Sequence, residues 1–567
     1  MILTSGNIIT ELDNQHLKMT NAEGECLIKT SDVRLFLPRF YEYNADPVHM
    51  EIEKTDSGCL LCYGFDKDAP LEECRVHIEA RGKYLSIYSC FTANRAVTLN
   101  SIRLLPAGTK MPLYKAVNFR NRHCTEQTWE DLAMGEHFST TTYSTDWQFA
   151  PHPSMLLFSK LDYHLFLGAL NLPGSFGLYL DVDSYQVARL EESYGEGGYG
   201  QKLAAGEAFE STRYAFFVDY KKDPHDVVEQ YTRLLVAEGM IPDPAKRKRY
   251  PWHRENLYCT WIDQGYLTDT VIPNQLHEQI EITLNAANAV STEMVMKAAD
   301  IIERERLPFR TILIDMGWAE RGEWMADPVR FPNFRKLVDE LHRRGFKVVI
   351  WWNWAEISQQ AKVDPRFLVG GGTLNKHGQR SFDFSNPVTQ NEFLKPLFYR
   401  LFSSDPGCYD TDGVKTDFLS DKVHPEMELA DASWRGEERY FYNVFSLFTK
   451  EMKQYKEDAV HIGCAGHPYL AEFIDINRTY DVWSTNVYEH VNRGRMLKAC
   501  SPGTPVAYDF HHFTENLELY FKMAYEHDCS VQIGNIMGIK ENPVSAWQQV
   551  DRDYYEKLRL YLGRLPR

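Results

Sequence analysis

After about residue 250 the chain falls into one repeating unit: a short apolar run, a polar loop, then a segment with helical spacing. Eight such runs can be read, LYCTWID (257–263), RTILID (310–315), FKVVIWW (346–352), DGVKTDF (412–418), AVHIGC (459–464), FIDINRTYD (473–481), TPVAYDF (504–510) and SVQIGNI (530–536). Strands that alternate with helices pair in parallel, and eight of them predict a (β/α)8 barrel. A doubly wound open sheet has the same alternation and is the competing topology. Between the runs, Ser291 or Thr292 caps a helix whose apolar face is Met294, Ala298, Ile301 and Ile302, and the segment 334–344 sets Phe334, Leu337, Val338 and Leu341 on one side.

The first 240 residues have a different period. Short alternating runs such as YLSIYSC (84–90), AVTLNSIRLL (96–105) and STRYAFFVDY (211–220) are broken by Gly, Asn, Asp and Pro. That spacing predicts an antiparallel β-sandwich. The run DPHDVVEQYTRLLVAEG (223–239) has helical spacing, ends at a glycine, and reads as a helix leading out of the sandwich. The expected division is a sandwich over 1–240 and a catalytic barrel over 241–567, in a chain too long for one hydrophobic core.

Charge narrows the partners. With 62 basic against 79 acidic residues the net charge is −17, which disfavours nucleic acid and anionic membrane surfaces and suits a small neutral substrate. No run of eighteen apolar residues and no basic-then-apolar leader is present, so a cytoplasmic protein is expected. A homo-oligomer is allowed by the composition. The eleven scattered cysteines read as reduced core thiols, including Cys59 and Cys62, which lack a second Cys-x-x-Cys pair. No metal or nucleotide cofactor is expected, because the chain has neither a His-Glu-x-x-His motif nor a glycine-rich phosphate loop.

In a barrel of this kind, chemistry gathers at the C-terminal ends of the strands. The residues there are Asp315 on the second run, Trp351 and Trp352 on the third, Asp417 on the fourth, Cys464 on the fifth and Asp481 on the sixth. Asp417 and Asp481 form a candidate catalytic pair, one carboxylate for attack on carbon and one acid for the leaving oxygen. Lys415 alternates to the same side as Asp417, which suits a nucleophile held as its anion, and could also donate to sugar hydroxyls. Arg478 could hold a substrate hydroxyl or orient Asp481. Trp261, Trp318, Trp324, Trp351, Trp352 and Trp354 are half of the twelve tryptophans and could offer indole faces to a pyranose.

Four stretches then resemble clan D glycoside hydrolases, and within them the compact bacterial α-galactosidases of family 36. They are ILIDMGWAERGEW (312–324), FPNFRKLVDELHRRGFKVVIWW (331–352), VKTDFLSD (414–421) and GCAGHPYLAEFIDINRTYD (463–481). The resemblance covers about 255–540 and implies retaining hydrolysis of terminal α-glycosides, with Asp417 as nucleophile and Asp481 as acid/base. It also implies substrate contacts from Asp315, Lys415, Arg478, Trp261, Trp351 and Cys464. Two positions depart from the family pattern. Met316 stands where a second aspartate would grip galactose, which leaves the sugar open, with a deoxy-sugar or pentopyranoside among the candidates. The interval from Arg478 to Asp481 is one residue short, leaving Glu489, then Asp421 and Asp475, as alternative acid/base groups. A transglycosidase with the same intermediate, or a catalytically decayed carbohydrate-binding barrel, are the other readings.

Overall fold

The computed structural model describes the chain except residues 44–45, 111–114, 118–125, 129–133, 140–153, 160–161, 184–185, 196, 221–222, 269–285, 356, 375–377, 418–422, 465, 480–486, 510–516, 538–551 and 564–567. Side chains are also not described for 115–117, 126–128, 134–139, 159, 182–183, 197 and 266.

The eight runs are the eight parallel strands of a closed barrel: β1 (Leu257–Cys259), β2 (Thr311–Ile314), β3 (Lys347–Trp352), β4 (Gly413–Thr416), β5 (Val460–Gly463), β6 (Ile476–Arg478), β7 (Val506–Tyr508) and β8 (Ser530–Ile533). β8 pairs back onto β1 through Leu257 and Gln532, so the sheet has no free edge. Side-chain alternation divides each strand between two cores. Leu257, Cys259, Leu313, Val349, Val460, Ile462, Ile476 and Ala507 fill the barrel. Their neighbours Tyr258, Ile312, Ile314, Val348, Ile350, Val414 and Val531 face the surrounding helices. The barrel interior is thus a packed core, and a site can open only above its last inward layer.

The helices begin where the sequence places caps. The helix α1 (Pro224–Ala237) follows Asp223, whose side chain accepts from the His225 N–H. A short helix, α2 (Trp261–Leu267), follows β1. Ser291 caps α3 (Thr292–Arg304) by accepting from the Met294 N–H, and Asn333 caps α4 (Phe334–Arg343) through the Lys336 N–H. Then come α5 (Lys395–Phe402), α6 (Glu437–Lys453), α7 (Tyr488–Cys500), α8 (Leu517–Glu526) and α9 (Arg552–Leu562). No helix among the described residues is long and apolar enough to cross a membrane.

Before the barrel lie two antiparallel sheets, with eleven and ten strands among the described residues, packed as a sandwich. In the strand Glu73–Ala80, Cys74, Val76 and Ile78 enter the core between the sheets while Arg75 and His77 point away. Cys59 and Cys62 share the strand Gly58–Gly64 three positions apart, which puts them on opposite faces. Burial pushes the Cys59 thiol up to about 11, so it is an inert core group.

Candidate active site

Following the inward register to the end of each strand gives the floor of the barrel mouth. β1 contributes Cys259, β2 leads to Asp315, β3 has Trp351 as its last inward residue, β4 carries Lys415 and then Asp417, and β5 leads to Cys464. β6 ends on Arg478, β7 leads to Asp509 and β8 supplies Gln532. The ladder positions these groups: Trp351 lies directly opposite Lys415, and the Asp417 N–H still reaches the Trp352 carbonyl at 3.3 Å.

Asp417 sits at the centre. Its Oδ2 accepts from the Trp351 indole N–H at 3.0 Å and lies 3.4 Å from the Lys415 ammonium, while Oδ1 accepts from the Arg478 guanidinium. Trp, Lys and Arg side chains are donors only, so Asp417 is the acceptor toward all of them. About a tenth of its side chain remains exposed, more than for Lys415 or Arg478 beside it. The carboxylate is therefore both gripped and reachable.

Lys415 has a second partner, nearer than Asp417. Its Nζ donates to Asp315 Oδ2 at 2.8 Å, and the same oxygen accepts the Cys259 thiol at 3.1 Å. Asp315 is fixed further by its own backbone N–H, which donates to Thr260 Oγ1 at 2.9 Å, and by the Met316 N–H at 2.8 Å to Oδ1. Burial alone would strip the charge from Lys415, but Asp315 and Asp417 outweigh it and hold the ammonium above its ordinary pKa. Cys464 is fully buried. Desolvation pushes its thiol up to about 12 against the pull of Arg478, so it is a neutral wall and no nucleophile.

Arg478 bridges Asp417 to Asp509, a residue the reading of strand ends passed over although TPVAYDF was recognised as a strand. The same rule that selects Asp315 and Asp417 selects Asp509. Gln532 Nε2 donates to the other Asp509 oxygen and has no comparable sequence signal.

Residues 280–499 match the glycosyl hydrolases family 31 TIM-barrel domain. That span runs from before β2 to the end of α7 and includes Asp315, Lys415, Asp417 and Arg478. Among curated proteins, the α-xylosidase XylQ of Lactiplantibacillus pentosus is 23% identical over 244 residues, covering 40% of this chain and 27% of that protein. An uncharacterised family 31 glucosidase, ORF2 of Pseudescherichia vulneris, is 26% identical over 141 residues, covering 24% of this chain and 26% of its own. The chain thus spans about a quarter of the length of these relatives. Solved α-galactosidases share the fold: that of Lactobacillus brevis has a TM-score of 0.54 at 14% identity, over 96% of this chain and 72% of that one. The family 36 enzyme AgaB of Geobacillus stearothermophilus has a TM-score of 0.56 at 12% identity, over 99% and 84%. Clan D fits both sets. The family model is that of family 31, and the likeness to family 36 is one of fold.

The other expected groups that are described fall away from this cluster. Asp481 and Asp421 lie outside the described residues. Asp475 precedes β6, at the opposite end of the barrel, where its Oδ1 accepts from Arg247 at 2.6 Å and Lys453 at 3.1 Å. Glu489 is on α7, paired to Arg493, which also donates to the Thr479 carbonyl at 3.0 Å.

The aromatic platform is corrected. Trp318, Trp324, Trp351, Trp352 and Trp354 are each at most 1% exposed. Trp352 packs on Phe448 of α6 at 4.5 Å between centroids, and Trp354 on Phe441 at 5.6 Å. These indoles are barrel-to-helix core, and Trp351 meets the site through its N–H. Trp261, at the start of α2 on the mouth side of β1, is the half-buried one.

Proposed function

We propose that the chain is a retaining exo-α-glycosidase, with Asp417 as nucleophile. The observation that carries this reading is the setting of Asp417: a partly exposed carboxylate at the end of β4, within reach of the Trp351 N–H, Lys415 and Arg478. In the first step the Asp417 oxygen bonds to the anomeric carbon as the glycosidic C–O bond breaks, and Asp481 delivers its proton to the departing oxygen. In the second, Asp481 takes a proton from water, whose oxygen displaces Asp417. Asp315, Lys415 and the half-buried Trp261 are proposed to hold sugar hydroxyls and the ring face, with Cys464 and Trp351 as walls. No metal or cofactor enters this scheme. The substrate is proposed to be an oligosaccharide or glycoside; an AgaA variant of the same fold is known in complex with stachyose (TM-score 0.55, 12% identity, over 99% of this chain and 86% of that one).

The α-galactoside reading rests on the four stretches that resemble family 36. An α-xyloside is the second reading, favoured by the apolar Met316 directly after Asp315 and by the relative named as an α-xylosidase. Aryl α-glycosides of galactose, xylose, glucose, fucose, N-acetylgalactosamine and arabinopyranose separate them. With the best of these, Asp417→Asn is expected to lose more than about a thousandfold in kcat while its circular dichroism stays native, since the covalent step has no substitute. Azide should rescue Asp417→Gly as a glycosyl azide of inverted anomeric configuration. Unchanged turnover in Asp417→Asn sinks the assignment.

A further inference from the structure

We infer that Asp509 is a positioning residue for the nucleophile, acting through Arg478, an inference that rests on Asp417 being the nucleophile. Within the mouth, among the described residues, the buried carboxylates of Asp315, Asp417 and Asp509 face the buried cations of Lys415 and Arg478. Lys415 is shared between Asp315 and Asp417, and Arg478 between Asp417 and Asp509. The chain of charges therefore runs Asp315, Lys415, Asp417, Arg478, Asp509, with the reacting carboxylate in the middle and a cation on each side. A guanidinium is a planar fork that prefers to close with two N–H groups on one carboxylate. Were Arg478 to close on Asp417 in that way, it would cover the oxygen lone pairs needed for attack and draw charge from them.

Asp509 prevents this by taking the other terminal nitrogen. Arg478 Nη1 donates to Asp509 Oδ2 while Nη2 donates to Asp417 Oδ1. Asp509 is itself wholly buried and immobilised from three elements. Gln532 of β8 donates to its Oδ1, its N–H donates to Thr479 Oγ1 after β6 at 3.0 Å, and the Tyr520 hydroxyl of α8 donates to its carbonyl at 2.9 Å. The last two bonds fix the backbone, so the side chain can keep Nη1 for itself and leave Nη2 to Asp417. Asp509 also carries negative charge toward Arg478, so part of the field of the cation that faces Asp417 is offset.

Among the described residues, the charged and titratable groups around Asp417 include Lys415, Asp315 with Cys259 behind it, Cys464 and Arg478, with Asp509 beyond the guanidinium. Replacing Asp509 by asparagine leaves the shape and removes one negative charge, so Asp417 should ionise at lower pH. The test is the pH dependence of kcat/KM on an activated aryl α-glycoside, for wild type, Asp509→Asn and Gln532→Met. In Asp509→Asn we expect the acid limb to move down by about half to one pH unit and kcat to fall about ten- to a hundredfold. A merely structural role would lower the melting temperature and leave the limb in place. Gln532→Met keeps the charge but drops one anchor, so its limb should stay and its kcat should fall about three- to tenfold. Wild-type kcat in folded Gln532→Met, or an unmoved acid limb in folded Asp509→Asn, overturns the inference. A wild-type protein that cleaves no glycoside overturns the functional reading, and this inference with it.

Discussion

At the residue scale, the mouth of the barrel is governed by one rule, alternation carried to the strand end. Asp315, Asp417 and Cys464 follow from that rule by counting, and so does Lys415 one layer below. Asp509 follows too, once β7 is counted like the others. Counting does not tell which aromatic groups reach the mouth, because a tryptophan next to a strand end packs inward or outward with one residue of register. Trp351 and Trp352 are that pair: the first donates to Asp417, the second is buried against Phe448. The difference can be measured. Trp351→Phe keeps a ring but removes the donor to Asp417 Oδ2, a hydrogen bond to a charged group worth about 1.5 to 3 kcal/mol. Its kcat/KM is expected to drop at least tenfold with an unaltered far-ultraviolet spectrum. Equal activity would mean that the indole N–H plays no part in setting the nucleophile.

At the element scale, eight strands were legible because each is short, apolar and followed by a helical period, and the caps Ser291 and Asn333 mark two of those helices. What the pattern hides is how short strands are tied at the end opposite the mouth. There Asp412, just before β4, accepts from the Val348 N–H of β3 at 2.8 Å and from His342 Nε2 at 2.7 Å, while its carbonyl accepts from the Val460 N–H of β5 at 2.8 Å. Lys347 and Lys456 stand 3.1 and 3.3 Å from its Oδ1. A single residue thus braces three strands, its carboxylate tying β3 to β4 and its backbone carbonyl holding β5. Burial works against its charge, but His342, Lys456 and Lys347 prevail and hold its pKa at about 2. Because the folded value lies below the unfolded one, this stabilisation is complete above about pH 4 and fades as pH falls toward 2. Asp412→Asn should cost about 3 kcal/mol at neutral pH, read as a lower melting temperature. The gap from wild type should hold at pH 5 and narrow as the melt is repeated at pH 4, 3 and 2. A gap that does not narrow would show that the charge is not what braces the strands.

At the scale of the whole molecule, the change of period near residue 250 separates sandwich from barrel, but the boundary drawn at 240 falls just after a helix that serves both. Tyr231 of α1 packs on Phe166 of the sandwich at 4.8 Å, and Thr232 donates to the Ala499 carbonyl of α7 at 2.8 Å. Composition cannot assign such a helix, since both of its faces are buried for different reasons. The same holds for α6, whose first turn enters the sandwich. Gly436 precedes it at φ 109°, and a Cβ there would lie 2.6 Å from the Gly174 carbonyl oxygen. Two residues later Glu438, only 3% exposed, joins the two units. Its Oε1 accepts the backbone N–H of Ser154 at 2.7 Å and the Ser154 hydroxyl, and its Oε2 meets His467 Nε2 at 2.7 Å. His467 Nδ1 accepts the Tyr469 N–H at 3.1 Å, so the proton sits on Nε2 and points at Glu438. Every group in the cluster therefore needs a carboxylate at position 438. Glu438→Gln keeps the size but turns an amide donor against either His467 or Ser154, leaving a buried group unsatisfied at a cost of about 1 to 3 kcal/mol. Because the lost bonds join sandwich to barrel, calorimetry should show more than a lower midpoint: a single unfolding endotherm should broaden or split as the two units melt apart. An endotherm of unchanged width and midpoint would mean that the apolar contacts around Tyr231 and Phe166 suffice to couple them, with Glu438 adding nothing.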